Sequence, residues 1–230
     1  MVFYEPNTLF NGARPTRLGD IGDPRAGMSF HDYYRCPAAG CPDPDPVIEN
    51  ALDHVGKTGD AVLMTEFGAS DDVGKLNRIT EQADLAMVGW QQWHYCICDD
   101  PTTSGINGSQ AIVNDLNEPP AGTNLRTPTL NALVRPYPQA IAGRPIEWGF
   151  DVEDGRFTFR YEPTRGVRRV TRVAIPPRAF RSGYRAHALG AEVISTPGAA
   201  RLRLRSCPGA SSVTLTVNRG RDQISGRGCR

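Results

Sequence analysis

Apolar and polar positions follow two different periods along this 230-residue chain, and the change-over falls past its middle. In the first part the apolar runs are short and unalternated. Val62, Leu63 and Met64, inside AVLMTEFG at residues 61–68, have no polar residue between them. Such a run reads as a strand buried on both faces, as in a parallel sheet. Similar strands are expected at Val2–Tyr4, which runs into Glu5-Pro6, at MSFHDYY (residues 28–34), and at Met87–Tyr95. Between them lie stretches with helical spacing. Pro46 opens one, followed by Val47, Ile48, Ala51, Leu52 and Val55; Asp71 and Asp72 open another, with Leu76, Ile79, Ala83 and Ala86 on one face. Strand, helix, strand, helix, strand at this spacing predicts right-handed βαβ units around a parallel sheet. Residues 99–140 are turn-rich and read as a loop with one short helix around Leu130–Val134. From Ile146 onward the period is two, in IEWGFDVE, RFTFRYEP, RVTRVAIP, ARLRLRS and SVTLTVN. That pattern predicts an antiparallel β-sandwich. Two domains are expected, at residues 1–140 and 141–230. Trp148, Phe150, Phe157 and Phe159 need cover, which the first domain is expected to provide.

Charge sharpens this division. Residues 141–230 hold 17 of the 26 basic residues and 7 of the 25 acidic ones, a net of +10 against −9 for residues 1–140. A basic half raises anionic lipid or nucleic acid as partners. Its arginines are spread along strands, so the expectation is a solvated sandwich face with no nucleic acid, leaving open a peripheral membrane contact. No apolar run nears the ~20 residues needed to span a bilayer, and the N-terminus carries no secretory pattern. The six cysteines form three close pairs. Cys36/Cys41, around a PAAG turn, and Cys207/Cys229 suit disulfides. Cys96 and Cys98, one residue apart, are read as poor partners for each other. Their spacing does not suggest zinc, and neither metal nor cofactor is expected.

Several strands end in chemically capable residues: Glu5, His31 with Tyr33, Glu66, and Trp90 with Trp93. Gathering polar groups at the C-terminal rim of successive parallel strands is how barrel enzymes build a pocket. An aromatic platform beside a carboxylate suits sugar, and the chemistry would be glycoside hydrolysis, in which a pair of carboxyl groups needs no metal. Read singly, His54 and His94 belong to the surface, Asp71 and Asp72 to a helix cap, and Asp99 and Asp100 to a loop turn.

MTEFGASDD, MVGWQQWHY, SFHDY and VFYEPN together resemble the C-terminal half of endoglycoceramidase-type enzymes of glycoside hydrolase family five. The segment Ile146–Arg230 resembles the small β-sandwich that follows their barrel. The resemblance implies a fold: about strands five to eight of a TIM (β/α)8 barrel followed by an antiparallel β-sandwich. It implies a retaining mechanism with Glu66 as nucleophile, Tyr33 hydrogen-bonded to it and His31 ordering the site. Trp93 would floor the sugar subsite, Trp90 would bind substrate or fill the core, and Glu5 would be a wall or subsite residue. The family's proton donor lies in an Asn-Glu-Pro motif on an earlier strand. Asn117-Glu118-Pro119 has those letters but lies downstream, in a turn-rich stretch, and is not expected to be catalytic. The chain therefore reads as a C-terminal fragment without an acid/base. Its expected partners are a glycolipid or other β-glycoside and either an upstream half-barrel or a second copy, because four open strands leave edges unpaired. A non-catalytic carbohydrate- or membrane-binding remnant, and a glucosylceramidase or steryl glucosidase, are the alternative functions.

Overall fold

A computed structural model describes residues 2–38, 40–68, 70–98, 111–164, 166, 170–226 and 229. The chain divides into two units, Met1–Leu133 and Val134–Arg230.

The first unit is built on four parallel strands in the order β1-β2-β3-β4, namely Val2–Tyr4, Ala26–Asp32, Ala61–Phe67 and Gly89–Trp90. Helix α1, Pro46–Thr58, joins β2 to β3, and α2, Val73–Leu85, joins β3 to β4; α3, Thr127–Leu133, follows later. The helix starts are written in sequence. The Asp45 side chain accepts from the Val47 amide at 3.0 Å with Pro46 in the first turn, and Asp72 accepts from the Lys75 amide at 3.1 Å. Gly59, at φ 78°, closes α1 in the left-handed region that glycine adopts without a Cβ clash. Met28, Phe30, Met64 and Phe67 meet Val47, Ile48, Leu76 and Ile79 in one buried cluster.

The third strand does not keep strict alternation. Its pairing with β2 shifts by one residue, from Phe30 opposite Met64 to His31 opposite Glu66, which leaves Thr65 as the extra residue of a β-bulge. Met64 and Phe67, three positions apart, are therefore both fully buried in the same cluster. Thr65 and Glu66, adjacent in sequence, both face away from it into a cavity.

The last strand is much shorter than its expected span, Met87–Tyr95. Met87, at φ 57°, belongs to the turn after α2, and beyond Trp90 the chain leaves the sheet except for an isolated bridge from Trp93 to Gly68.

The second unit is a sandwich of two sheets. One has the order β10-β11-β8-β5: Ala191–Val193, Arg201–Ser206, Val170–Ala174 and Tyr137–Ala140. The other has the order β13-β9-β12-β7-β6: Gln223–Gly226, Tyr184–Leu189, Val213–Arg219, Arg156–Pro163 and Gly143–Asp151. Pairing is antiparallel except for β13, which runs parallel to β9. Leu202, Leu204 and Val173 of the first sheet meet Phe157, Phe159, Leu215 and Val217 of the second. Phe150, Phe157 and Phe159 are thus covered within the sandwich itself.

Cys36–Cys41 and Cys207–Cys229 are bonded. Cys96 and Cys98, with only Ile97 between them, have their Cα atoms 5.2 Å apart. His54 and His94, expected at the surface, are both buried to 7% exposure. His54 lies against the Tyr4 hydroxyl at 2.7 Å, and His94 Nδ1 against the Cys96 carbonyl, contacts that replace hydration.

Candidate active site

The C-terminal ends of β1, β2 and β3 bring four of the candidate residues together: Glu5, His31, Tyr33 and Glu66. Glu66 follows the bulge and stands opposite His31 in the ladder. The Tyr33 hydroxyl donates to Glu66 Oε2 at 2.9 Å, and His31 Nδ1 lies 3.2 Å from the same oxygen. The other ring nitrogen, Nε2, lies 3.3 Å from Glu5 Oε1. The imidazole therefore bridges two carboxylates. Among the described residues no hydrogen bond reaches Glu66 Oε1, so one oxygen is anchored and the other is open to the cavity. Burial and the neighbouring Glu66 carboxylate push the Tyr33 phenol well above its ordinary range, which keeps it a neutral donor.

Glu5 is placed by the residue before it. The Tyr4 hydroxyl donates to Asp60 Oδ2 at 2.7 Å and also meets His54, so the end of β1 is pinned to α1 and to the start of β3. Burial and Asp60 push the Tyr4 phenol up to about 12.

The cavity these residues share has a volume of about 560 Å³ and is lined by Glu5, Ser29, His31, Thr65 and Glu66 together with the segment Gln91–Tyr95. Trp93 is part of that wall, held where its amide donates to the Phe67 carbonyl at 2.9 Å. Trp90 is not. Its ring packs edge-on against Phe67 at 5.4 Å and joins the buried cluster. Glu118 lies in an exposed turn whose carbonyl accepts from Asn124, and it does not line the cavity. Asp72 caps α2 and Asp71 is ion-paired with Arg126 at 3.0 Å, whereas Asp99 and Asp100 lie outside the described residues.

One ionisable group here has no counterpart in the sequence reading. Asp32, between His31 and Tyr33, points to the opposite face of β2 and is fully buried. Its Oδ1 accepts from the Tyr34 amide, while Oδ2 has no partner. Burial first, and then the charge of Asp45, push its carboxyl up to about 7, offset in part by Arg78, whose Nη2 is bonded to Asp45 at 2.7 Å. The signal was available: Met28, Phe30 and Asp32 form a period-two series, and its third member is an acid.

Parallel strands joined by helices, followed by antiparallel sheets, place the chain in a fold class of half an α/β barrel with an appended β-domain. Residues 135–217 match the glycoside hydrolase family 5 C-terminal domain. Endoglycoceramidase I of Rhodococcus hoagii (strain 103S) is 30% identical over 239 residues, a match covering 95% of this chain and 43% of that protein. Endo-glycoceramidase II from Rhodococcus sp., solved as its lactosyl-enzyme intermediate, has the same fold with a TM-score of 0.70 at 22% identity, over 95% of this chain and 49% of that one. Sterylglucosidase 1 of Cryptococcus neoformans matches with a TM-score of 0.54 at 16% identity, over 75% of this chain and 30% of that one. The chain is a glycoside hydrolase family 5 relative of the endoglycoceramidases, and it spans a little under half the length of those it matches.

Proposed function

We propose that Glu66 is the nucleophile of a retaining β-glycosidase that acts on the glycan–lipid bond of a glycolipid. The observation that carries this reading is the Glu66 carboxylate itself. One of its oxygens is fixed by Tyr33 and His31, and the other is open to a cavity walled by Trp93. In a retaining reaction the open oxygen attacks the anomeric carbon, the bond to the aglycone oxygen breaks, and a second carboxyl protonates the leaving oxygen. Water then releases the sugar, giving its proton to that second group. Tyr33 and His31 orient the nucleophile by holding its far oxygen, and Trp93 stacks on an apolar sugar face. The likeness to a protein caught as a lactosyl-enzyme intermediate, and also solved with ganglioside GM3, supports the covalent route and the glycolipid class.

In this reading no described residue acts as the proton donor, which is either missing or supplied by another chain. A retaining pair stands about 5–5.5 Å apart, and among the described residues the cavity's other carboxylate, Glu5, reaches Glu66 through the His31 ring. A 2-deoxy-2-fluoro β-glycoside with a dinitrophenolate leaving group needs no such donor, so it tests the nucleophile alone. The expected result is a glycosyl adduct on the peptide holding Glu66, absent from Glu66→Gln. An adduct elsewhere, or none, overturns the assignment. Unassisted glycolipid hydrolysis by this chain is expected to be negligible. Brisk oligosaccharide release abolished by Glu118→Gln would refute the placement of the donor.

A further inference from the structure

The two sheets of the sandwich carry their arginines differently. On the outer face of the five-stranded sheet, the β6–β7 arginines are matched with acids: Arg160 lies 3.1 Å from Glu147 and Arg144 lies 2.7 Å from Glu162, while Arg185 of β9 faces the neutral Asn218 and Gln223. On the four-stranded sheet arginine stands opposite arginine. Leu202 and Leu204 of β11 point inward, which turns Arg201, Arg203 and Arg205 outward as one row. Register sets Arg203 directly opposite Arg172 of β8, and both are exposed. Like charges directly opposite one another destabilise a sheet, and among the described residues neither arginine has an ion-pair partner. Among the described residues Glu192 is the acid of this face, 3.5 Å from Arg205, and Arg201 donates to the neutral Gln139 at 2.8 Å. Tyr137, about half exposed, stands on the same face beside Ala174.

We infer that this face, centred on the Arg172–Arg203 pair, is a docking surface for the anionic headgroup plane of a lipid bilayer. Adjacent strands lie about 4.8 Å apart and same-face residues about 6.8 Å apart. The four guanidinium groups therefore form a shallow grid, not a groove. A plane of phosphates matches a flat grid, and arginine's fork binds each phosphate through two parallel hydrogen bonds. Double-stranded DNA would call for an element that enters its major groove, and single strands for a series of stacking aromatics. Tyr137 is the single aromatic side chain of this face among the described residues, and an edge tyrosine suits a membrane interface. The inference rests on the second unit alone and stands whether or not Glu66 is a nucleophile.

Co-sedimentation of the full chain with vesicles tests it. Binding is expected to vesicles of phosphatidylcholine with phosphatidylserine, not to phosphatidylcholine alone, and to weaken as salt rises. Arg172→Gln with Arg203→Gln is expected to lower partitioning about 20–30-fold, since each arginine near an anionic surface contributes roughly fivefold. Arg172→Lys with Arg203→Lys should retain most of the binding. Arg144→Gln with Arg160→Gln, on the other sheet, should leave it unchanged. The inference fails if the two Gln pairs weaken binding equally, if neutral vesicles bind as well, or if a DNA duplex competes the chain off at lower charge concentration than the vesicles do.

Discussion

At the scale of single residues, Glu66 was legible because a carboxylate ends an unalternated apolar run, and Tyr33 and His31 because the HDY triplet ends the strand before it. The bridge from His31 to Glu5 was not legible, since nothing in the sequence says that strands 26 residues apart place those ends side by side. Replacing Tyr33 by Phe deletes the hydroxyl that holds Oε2. A hydrogen bond to a charged group contributes about 1.5–3 kcal/mol, so the rate of labelling by the fluoro-glycoside should fall roughly 10- to 100-fold, with little change in thermal stability. Asp32 gives a prediction about pH. Its folded-state carboxyl is pushed up to about 7 from 3.8, so across that window the native state holds a proton that the unfolded chain has released. The Asp32 contribution to stability therefore falls as pH rises from about 4 to about 7, by up to about 1.4 kcal/mol per pH unit. Asp32→Asn carries no such proton. Urea denaturation at several pH values should show a flatter profile and a variant more stable than the parent at neutral pH.

At the scale of elements, legibility followed side-chain chemistry. RLRLRS and SVTLTVN alternate so strongly that their strands could be placed from pattern alone. Tyr184–Leu189 shows little strand pattern because its inward positions include Ala186 and Ala188, small residues that carry little strand signal, although both are buried. Tyr137–Ala140 reads as loop because it contains a proline, which an edge strand accommodates. The helix caps were readable, but their energetic weight was not. Asp45 is fully buried and serves both as the cap of α1 and as the partner of Arg78. Asp45→Ala should destabilise the chain by about 3–5 kcal/mol, because it leaves a largely buried guanidinium without its carboxylate. Asp72→Ala removes an exposed cap and should cost about 1 kcal/mol. Paired urea melts separate the two.

At the scale of the whole molecule, the boundary lies at Leu133/Val134, earlier than expected, because β5 already belongs to the sandwich. The two units also differ in how they finish their sheets. In the first, β1 pairs with β2 and β4 with β3, and the outer sides of both are unpaired among the described residues. Val2 and Phe3 stand 69% and 40% exposed on β1. An apolar open edge is a template for a second chain. Sedimentation should show concentration-dependent association that Phe3→Lys reduces; a monomer at all concentrations would exclude edge pairing. The bulge at Thr65 has a consequence for how this chain tolerates changes in length. Losing one residue from a strand ordinarily inverts every side chain beyond the gap. Here the phase is already broken by one residue, so deleting Thr65 restores it: Met64 would still face the helices, Glu66 the cavity and Phe67 the helices again. In this strand, the residue most readily lost is the immediate neighbour of the carboxylate on which the proposed chemistry depends.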